Sequence, residues 1–202
     1  PSCINRTAFS RALRRAFLVA DMPFMSYSDP NQALENAVRL MQEGGAMMIK
    51  LEGGEDQISI VEHLARHDIA VCAHLGLKPQ SVHKIGGFRV QGRDENESRK
   101  MLKNAISLQN AGADIVLLEC VPNELGNSIK EELDIPVIGI GAGPNVDGQI
   151  LVLYDILGIT HGTTPRFVKN FMIGNDSPIM AIKAYVQAVK NRDYPASEHC
   201  FS

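Results

Sequence analysis

The sequence predicts an α/β fold built on a parallel sheet, and three observations carry that reading. Short apolar runs alternate with amphipathic segments from one end of the chain to the other, the βαβα rhythm of parallel strands joined by helices. Nearly every apolar run ends on a charged or reactive side chain, as strands feeding one pocket do. A short pattern also recurs. Gly45-Ala46 leads to Glu52 and Gly112-Ala113 leads to Glu119, each a helix stop, a strand and a terminal acid, as like units of a barrel require.

Strands are expected at Ala16 to Ala20, Met47 to Leu51, Ala70 to Ala73, Ile115 to Leu118, Pro136 to Ile140 and Leu151 to Leu157. Helices fill the gaps. Ser28-Asp29-Pro30 supplies a cap and a first-turn proline, Ala33, Ala37, Leu40 and Met41 form one stripe, and Gly44-Gly45 stops it. The same spacing recurs at Ile58, Val61, Leu64 and Ala65, at Leu125, Ile129 and Leu133, and at Ile179, Ile182, Val186 and Val189 after Ser177-Pro178. Asn96 to Ala111 reads as a further helix with Gly112 as its stop. Ahead of it, His83 to Arg93 reads as a long mobile loop with Gly86, Gly87 and Gly92. No linker or low-complexity tract interrupts residues 1 to 202, so one domain is expected.

With 202 residues, 45% hydrophobic and 21% charged, the chain can bury a full core, and disorder or a disulfide scaffold is excluded. It falls short of the roughly 250 residues of a closed eight-stranded barrel. Twenty basic and 23 acidic residues give a net charge of −3, which argues against nucleic acid or an anionic membrane as partner and for small-molecule chemistry. No apolar run approaches the roughly 18 residues of a membrane span. Cys3, Cys72, Cys120 and Cys200 are scattered without a CxxC, which favours a reducing, cytoplasmic compartment. The first 20 residues hold Arg6, Arg11, Arg14 and Arg15 and no acid; a basic surface helix is the preferred reading, and a mitochondrial leader is the alternative.

The strand ends carry the chemistry. Phe17 to Ala20 ends on Asp21, Met47 to Ile49 on Lys50 and Glu52, Val71 to Ala73 on His74, and Val116 to Leu118 on Glu119. Lys50 and Glu52 are two apart and face one side of their strand, so one ligand can meet both. Each residue alone has a structural reading: Asp21 as a turn cap, Lys50 and Glu52 as an ion pair, His74 as a core histidine. Four such ends in succession favour a pocket. Asp21 and Glu52 offer hard oxygens, which suit Mg²⁺ rather than Zn²⁺. A 2-oxo acid could chelate that ion, which would stabilise the enolate left by proton removal. Lys50 could hold the substrate carboxylate, and Glu119, walled by Leu117, Leu118 and Val121, is placed for general acid/base work.

Other features read as structural. His63 and His67 are four apart but lack the HExxH pattern, so a solvated helix face is expected. The glycines at 139, 141 and 143 resemble a phosphate-cradling turn or serve only a close backbone approach. Cys72 with His74 as a nucleophilic pair is set aside on geometry. A Schiff-base aldolase through Lys50 is disfavoured because the neighbouring acids keep that amine charged.

Several stretches in register, Ala20-Asp21-Met22-Pro23-Phe24-Met25-Ser26-Tyr27, Lys50-Leu51-Glu52-Gly53-Gly54, His74-Leu75-Gly76-Leu77-Lys78-Pro79-Gln80-Ser81, Gly86 to Arg93, Leu118-Glu119-Cys120-Val121-Pro122 and Ile138 to Gly143, resemble the ketopantoate hydroxymethyltransferase family. The resemblance continues to the Tyr194-Pro195 and Glu198-His199 tail. It implies a (β/α)8 TIM barrel of the phosphoenolpyruvate/pyruvate type, here about six of eight βα units. It also implies transfer of a hydroxymethyl group from methylene-tetrahydrofolate to α-ketoisovalerate with Mg²⁺ bound, on the route to pantothenate. In that resemblance Asp21 and Glu52 match metal-site acids, Asp21 and Lys50 substrate contacts, His74 a pocket histidine and Glu119 the proton acceptor. The Gly86 to Arg93 loop is expected to help admit the folate.

The resemblance begins just before the family's third strand, so two strand–helix units and an Asp-Ser pair, a further metal ligand and substrate contact, are expected to lie outside these residues. Six strands cannot close an eight-stranded barrel, and open parallel edges invite a homo-oligomer. A rival reading follows, in which the chain is a non-catalytic or assembly-forming remnant of such an enzyme.

Overall fold

The computed structural model describes residues 15–87 and 89–202. Arg6, Arg11, Arg14 and Cys3, and with them the readings of the basic start, lie outside the described residues, as does Phe88 of the glycine-rich loop. Six strands form one parallel sheet in chain order: β1 (Val19–Asp21), β2 (Met48–Glu52), β3 (Val71–Gly76), β4 (Ile115–Glu119), β5 (Val137–Ile140) and β6 (Gly148–Gln149). Sequential parallel strands with helices between them are the arrangement of a (β/α)8 barrel, here six of its eight units.

The helices that matter to the sheet are α1 (Pro30–Gln42), α2 (Ile58–Ala65), α4 (Glu95–Asn110) and α5 (Asn123–Glu132), with a single turn, α3 (Val82–Ile85), after β3. Their ends follow the local chemistry. Asp29 accepts from the backbone N–H groups of Asn31 and Gln32 with Pro30 in the first turn, and Asp94 accepts from those of Asn96 and Glu97.

Period-two alternation sorts the strand side chains into two layers. Ile49, Leu51, Val71, Ala73, Val116 and Leu118 point outward, against Ala33, Ala37 and Leu40 of α1, Val61 and Leu64 of α2, Ala105 and Leu108 of α4, and Leu125 and Ile129 of α5. Each fully buried leucine there contributes about 1.5–3 kcal/mol. Met48, Cys72, Leu117 and Ile140 point inward, where Phe167 joins them. Burial on both faces is why these strands read as nearly unbroken apolar runs.

Three expectations need correction. The sixth strand is not Leu151 to Leu157: β6 is Gly148–Gln149, and Leu153–Ile156 is a helical turn, α6. A short apolar run fits helix or strand equally well. Here register decides, because Asp147 receives the Val137 N–H on its carboxylate at 2.9 Å and returns its own N–H to the Val137 carbonyl, also at 2.9 Å. Secondly, the segment from His83 to Arg93 is not wholly loop, since α3 takes in His83 and Lys84 before Gly86 turns the chain at φ 81°. Thirdly, the last helix, α7 (Pro178–Lys190), does not bury its expected stripe. Ala181, Ala184, Tyr185 and Ala188 face the small cluster of Ile156, Phe171 and Tyr194, joined from the expected stripe by Val189, while Ile179, Ile182 and Val186 are left exposed.

Candidate active site

Strand register brings the polar strand ends together. Asp21 pairs with Lys50 across β1 and β2, Lys50 with Cys72 and Glu52 with His74 across β2 and β3, and Gly76 with Glu119 across β3 and β4. Side chains on paired residues share a face, so Lys50, Glu52 and His74 rise from the inner face toward the carboxyl ends of the strands.

The groups form a line of alternating charge. Lys50 Nζ lies 2.5 Å from Asp21 Oδ1, 3.8 Å from Glu52 Oε1 and 3.3 Å from His74 Nδ1. On the far side of the imidazole, His74 Nε2 lies 3.2 Å from Glu119 Oε2. An ammonium only donates, so Nδ1 of His74 accepts from Lys50 and the neutral ring carries its proton on Nε2, toward Glu119. That N–H approaches the carboxylate without the alignment of a hydrogen bond.

Depth differs along the line. The Asp21 side chain is 59% exposed at the rim, Lys50 and Glu119 are each 14% exposed, and Glu52 and His74 are buried at 5% and 1%. Burial pushes the Glu52 carboxyl above its usual 4.5, and the Lys50 ammonium and the N–H of Gln80 pull it back. Cys72, one rung below, is pushed up to about 12 by burial, so it walls the pocket as a thiol and offers no thiolate for attack.

Backbone geometry sets the Glu119 end. Gly76 adopts φ 89°, and a Cβ there would stand 2.1 Å from the Glu119 carbonyl oxygen, which instead accepts from Leu77 N–H at 2.8 Å. Cys120 follows at φ 54°, a left-handed conformation common for glycine and uncommon for other residues, with its N–H on the Ile140 carbonyl and its own carbonyl receiving Gln91 N–H at 2.9 Å. The Gly86 to Arg93 segment thus reaches the strand end that carries Glu119.

Tyr27 and Gln80 were not singled out from the sequence, although both lie in stretches that carry the resemblance. Tyr27 Oη donates to Gln80 Oε1 at 2.8 Å, Gln80 Nε2 donates to the Met22 carbonyl at 2.9 Å, and Gln80 N–H donates to Glu52 Oε2 at 3.1 Å. Their only sequence signal was position, a tyrosine and a glutamine a few residues past reactive strand ends. His67, just past α2, is exposed as expected, but His63 is half-buried, its Nε2 enclosed and without a hydrogen-bond partner among the described residues. The glycines at 141 and 143 give close approach to Phe167 and Asn123.

Two hard carboxylates at neighbouring strand ends already share one cation, Lys50, which suits a donor set for a Mg²⁺ ion that takes one or two carboxylates and leaves positions for water and substrate. Among the described residues no group of three His, Cys, Asp or Glu side chains converges as a self-sufficient metal cage.

Comparison with known proteins bears on this geometry. A family model described as ketopantoate hydroxymethyltransferase matches residues 3–197. A protein of Nitrosococcus oceani named 3-methyl-2-oxobutanoate hydroxymethyltransferase is 57% identical over 189 residues, 94% of this chain and 72% of its own. One of Alkalilimnicola ehrlichii with the same name is 60% identical over 186 residues, 92% of this chain and 67% of its own. Among solved structures, a putative phosphonomutase from Burkholderia cenocepacia matches with a TM-score of 0.52 and 16% identity, over 69% of this chain and 62% of that one, a likeness of fold alone.

Proposed function

Because the chain belongs to the ketopantoate hydroxymethyltransferase family, we propose that it transfers a hydroxymethyl group from methylene-tetrahydrofolate to 3-methyl-2-oxobutanoate, giving ketopantoate for pantothenate synthesis. The observation that carries this reading is the line Asp21, Lys50, His74, Glu119 across four neighbouring strand ends, with Glu52 beneath it.

Lys50 receives the substrate carboxylate, since its ammonium sits between two acids and one imidazole at the pocket's centre. Asp21 and Glu52 would hold a Mg²⁺ ion. When bound, that ion supplies Lewis-acid polarisation of the 2-oxo group, which acidifies the hydrogen on C3. Glu119 takes the C3 proton onto a carboxylate oxygen, and the electron pair released from the C–H bond forms the new C–C bond to the one-carbon unit. That carbon's two bonds to the folate nitrogens break, one water supplies its hydroxyl, and the water's proton and the C3 proton end on those nitrogens, releasing tetrahydrofolate. His74 packs its Nε2 edge against Glu119 Oε2 at 3.2 Å. The Gly86 to Arg93 segment, tied to Cys120 through Gln91, borders the entry for the folate.

Glu119→Gln keeps the shape and removes the base. The expected result is loss of hydrogen–deuterium exchange at C3 of 3-methyl-2-oxobutanoate, followed by proton NMR, with substrate binding retained. Exchange at the parental rate overturns the assignment.

The exposed stripe of Ile179, Ile182 and Val186 supports a homo-oligomer, and the free thiols of Cys72, Cys120 and Cys200 support a reducing, cytoplasmic setting. Among the described residues no helix is long and apolar enough to cross a membrane.

A further inference from the structure

Gln80 is the point at which three chain segments meet. Its side-chain amide spans Tyr27 and Met22 in the segment after β1, and its backbone N–H holds Glu52 at the end of β2. The orientation of the amide is dictated by its partners: the Met22 carbonyl can only accept, so the NH₂ end faces it and the oxygen faces the Tyr27 hydroxyl. Met22 follows Asp21 directly and donates its own N–H to the Lys50 carbonyl at 2.9 Å. The residue that holds the Met22 carbonyl, one peptide beyond Asp21, is thus the residue that holds the carboxylate of Glu52.

Sheet pairing sets the two backbones, and Glu52 N–H also donates to the Tyr27 hydroxyl at 3.4 Å. Asp21 lies at the exposed rim of a three-residue strand, and Glu52 lies buried on the next. The other group shared by both is the Lys50 ammonium, a flexible point charge. A planar amide with both ends bonded is rigid by comparison, and groups that orient metal ligands in this way govern affinity strongly.

We propose that Gln80 is a positioning residue, which, through Met22, Tyr27 and its own backbone N–H, holds Asp21 and Glu52 so that the two carboxylates bind one divalent cation together. The inference rests on the reading of Asp21 and Glu52 as the metal acids. Gln80 touches neither substrate nor ion. It acts by making the geometry of the pair present before the cation arrives.

The test is calorimetric titration of the chain with Mg²⁺ and with Mn²⁺, for the parent and for Gln80→Met, Tyr27→Phe and Glu52→Gln. Gln80→Met keeps length and bulk while removing both ends of the amide, and affinity should fall on the order of 10- to 100-fold. Tyr27→Phe removes a single hydroxyl from the same knot and should give a smaller loss of several-fold, with far-UV circular dichroism as for the parent. The double variant should be no weaker than Gln80→Met alone, because both changes break one network. In turnover assays the loss should appear as a raised Mg²⁺ requirement that added metal reverses, a split that general loosening of the fold does not produce. Parental affinity in Gln80→Met, or in Tyr27→Phe where Gln80→Met does not fold, overturns the proposal. Glu52→Gln separates the premise: if it binds metal as the parent does, or the parent binds none, the metal reading itself fails.

Discussion

At the scale of single residues, Lys50 and His74 owe their behaviour to what lies on either side of them. Lys50 has Asp21 at 2.5 Å and Glu52 at 3.8 Å, so its amine is bracketed by two carboxylates. His74 is bounded by that ammonium on Nδ1 and by Glu119 on Nε2, which sets its tautomer. The sequence indicated these residues as a set because polar side chains interrupt apolar strands, an arrangement that costs free energy unless a partner or ligand repays it. It could not indicate Gln80 or Tyr27, whose roles depend on contacts 28 and 53 residues away along the chain. A second buried imidazole yields a pH prediction. His199 has its pKa lowered, chiefly by burial, and its neutral Nδ1 accepts from Ala196 N–H at 3.0 Å. As pH falls through the usual 6.5 the unfolded chain takes up the proton first, so His199 contributes stability above 6.5 that is lost on acidification toward its lower folded value. His199→Gln should therefore lose less stability than the parent between about pH 7 and about pH 5. Urea midpoints across that interval check it, and parallel curves would refute it.

At the scale of elements, β3 and β4 are joined most tightly where the chemistry sits. Gly76 lets β3 pass against the Glu119 carbonyl, and the left-handed Cys120 then turns the chain, so the last residue of β4 is held from both sides. Gly76→Ala forces a methyl to within 2.1 Å of that carbonyl and strains φ 89°, which should cost about 2 kcal/mol or more. Exchange at C3 should fall with it, because the carboxylate of Glu119 shifts with its strand. A denaturation midpoint unchanged from the parent would show that the strand end accommodates the methyl. The first five strands were legible as apolar runs bounded by helix stops and caps. The sixth was not, because Gly148–Gln149 carries no apolar signal and is defined by the Asp147 bonds to Val137, a pairing across the sheet.

At the scale of the whole molecule, six parallel strands leave β1 and β6 as the outer strands of the sheet among the described residues, and α7 turns apolar side chains to solvent close to the β6 side. Tyr185 of α7 donates to the Gln149 carbonyl at 2.9 Å, which places this helix beside that edge. Such a surface should be covered by a second copy, so the chain should sediment as an oligomer. Ile182→Asp with Val186→Asp should shift it toward monomer with secondary structure retained, since both side chains are already exposed. Sedimentation velocity decides; a parental chain that remains monomeric at high concentration would sink the expectation.

The sequence by itself determined the class of fold, the order of strands and helices, the set of reactive strand ends and the family, because each is written in local spacing: apolar period, caps, and motifs in register. Only the tertiary structure decided which strand ends the sheet, which face of α7 is buried, and that Gln80 and Tyr27 link the segment after Asp21 to Glu52. Those depend on which groups meet across the sheet, and a hydrogen bond between distant segments leaves no period in the chain that makes it.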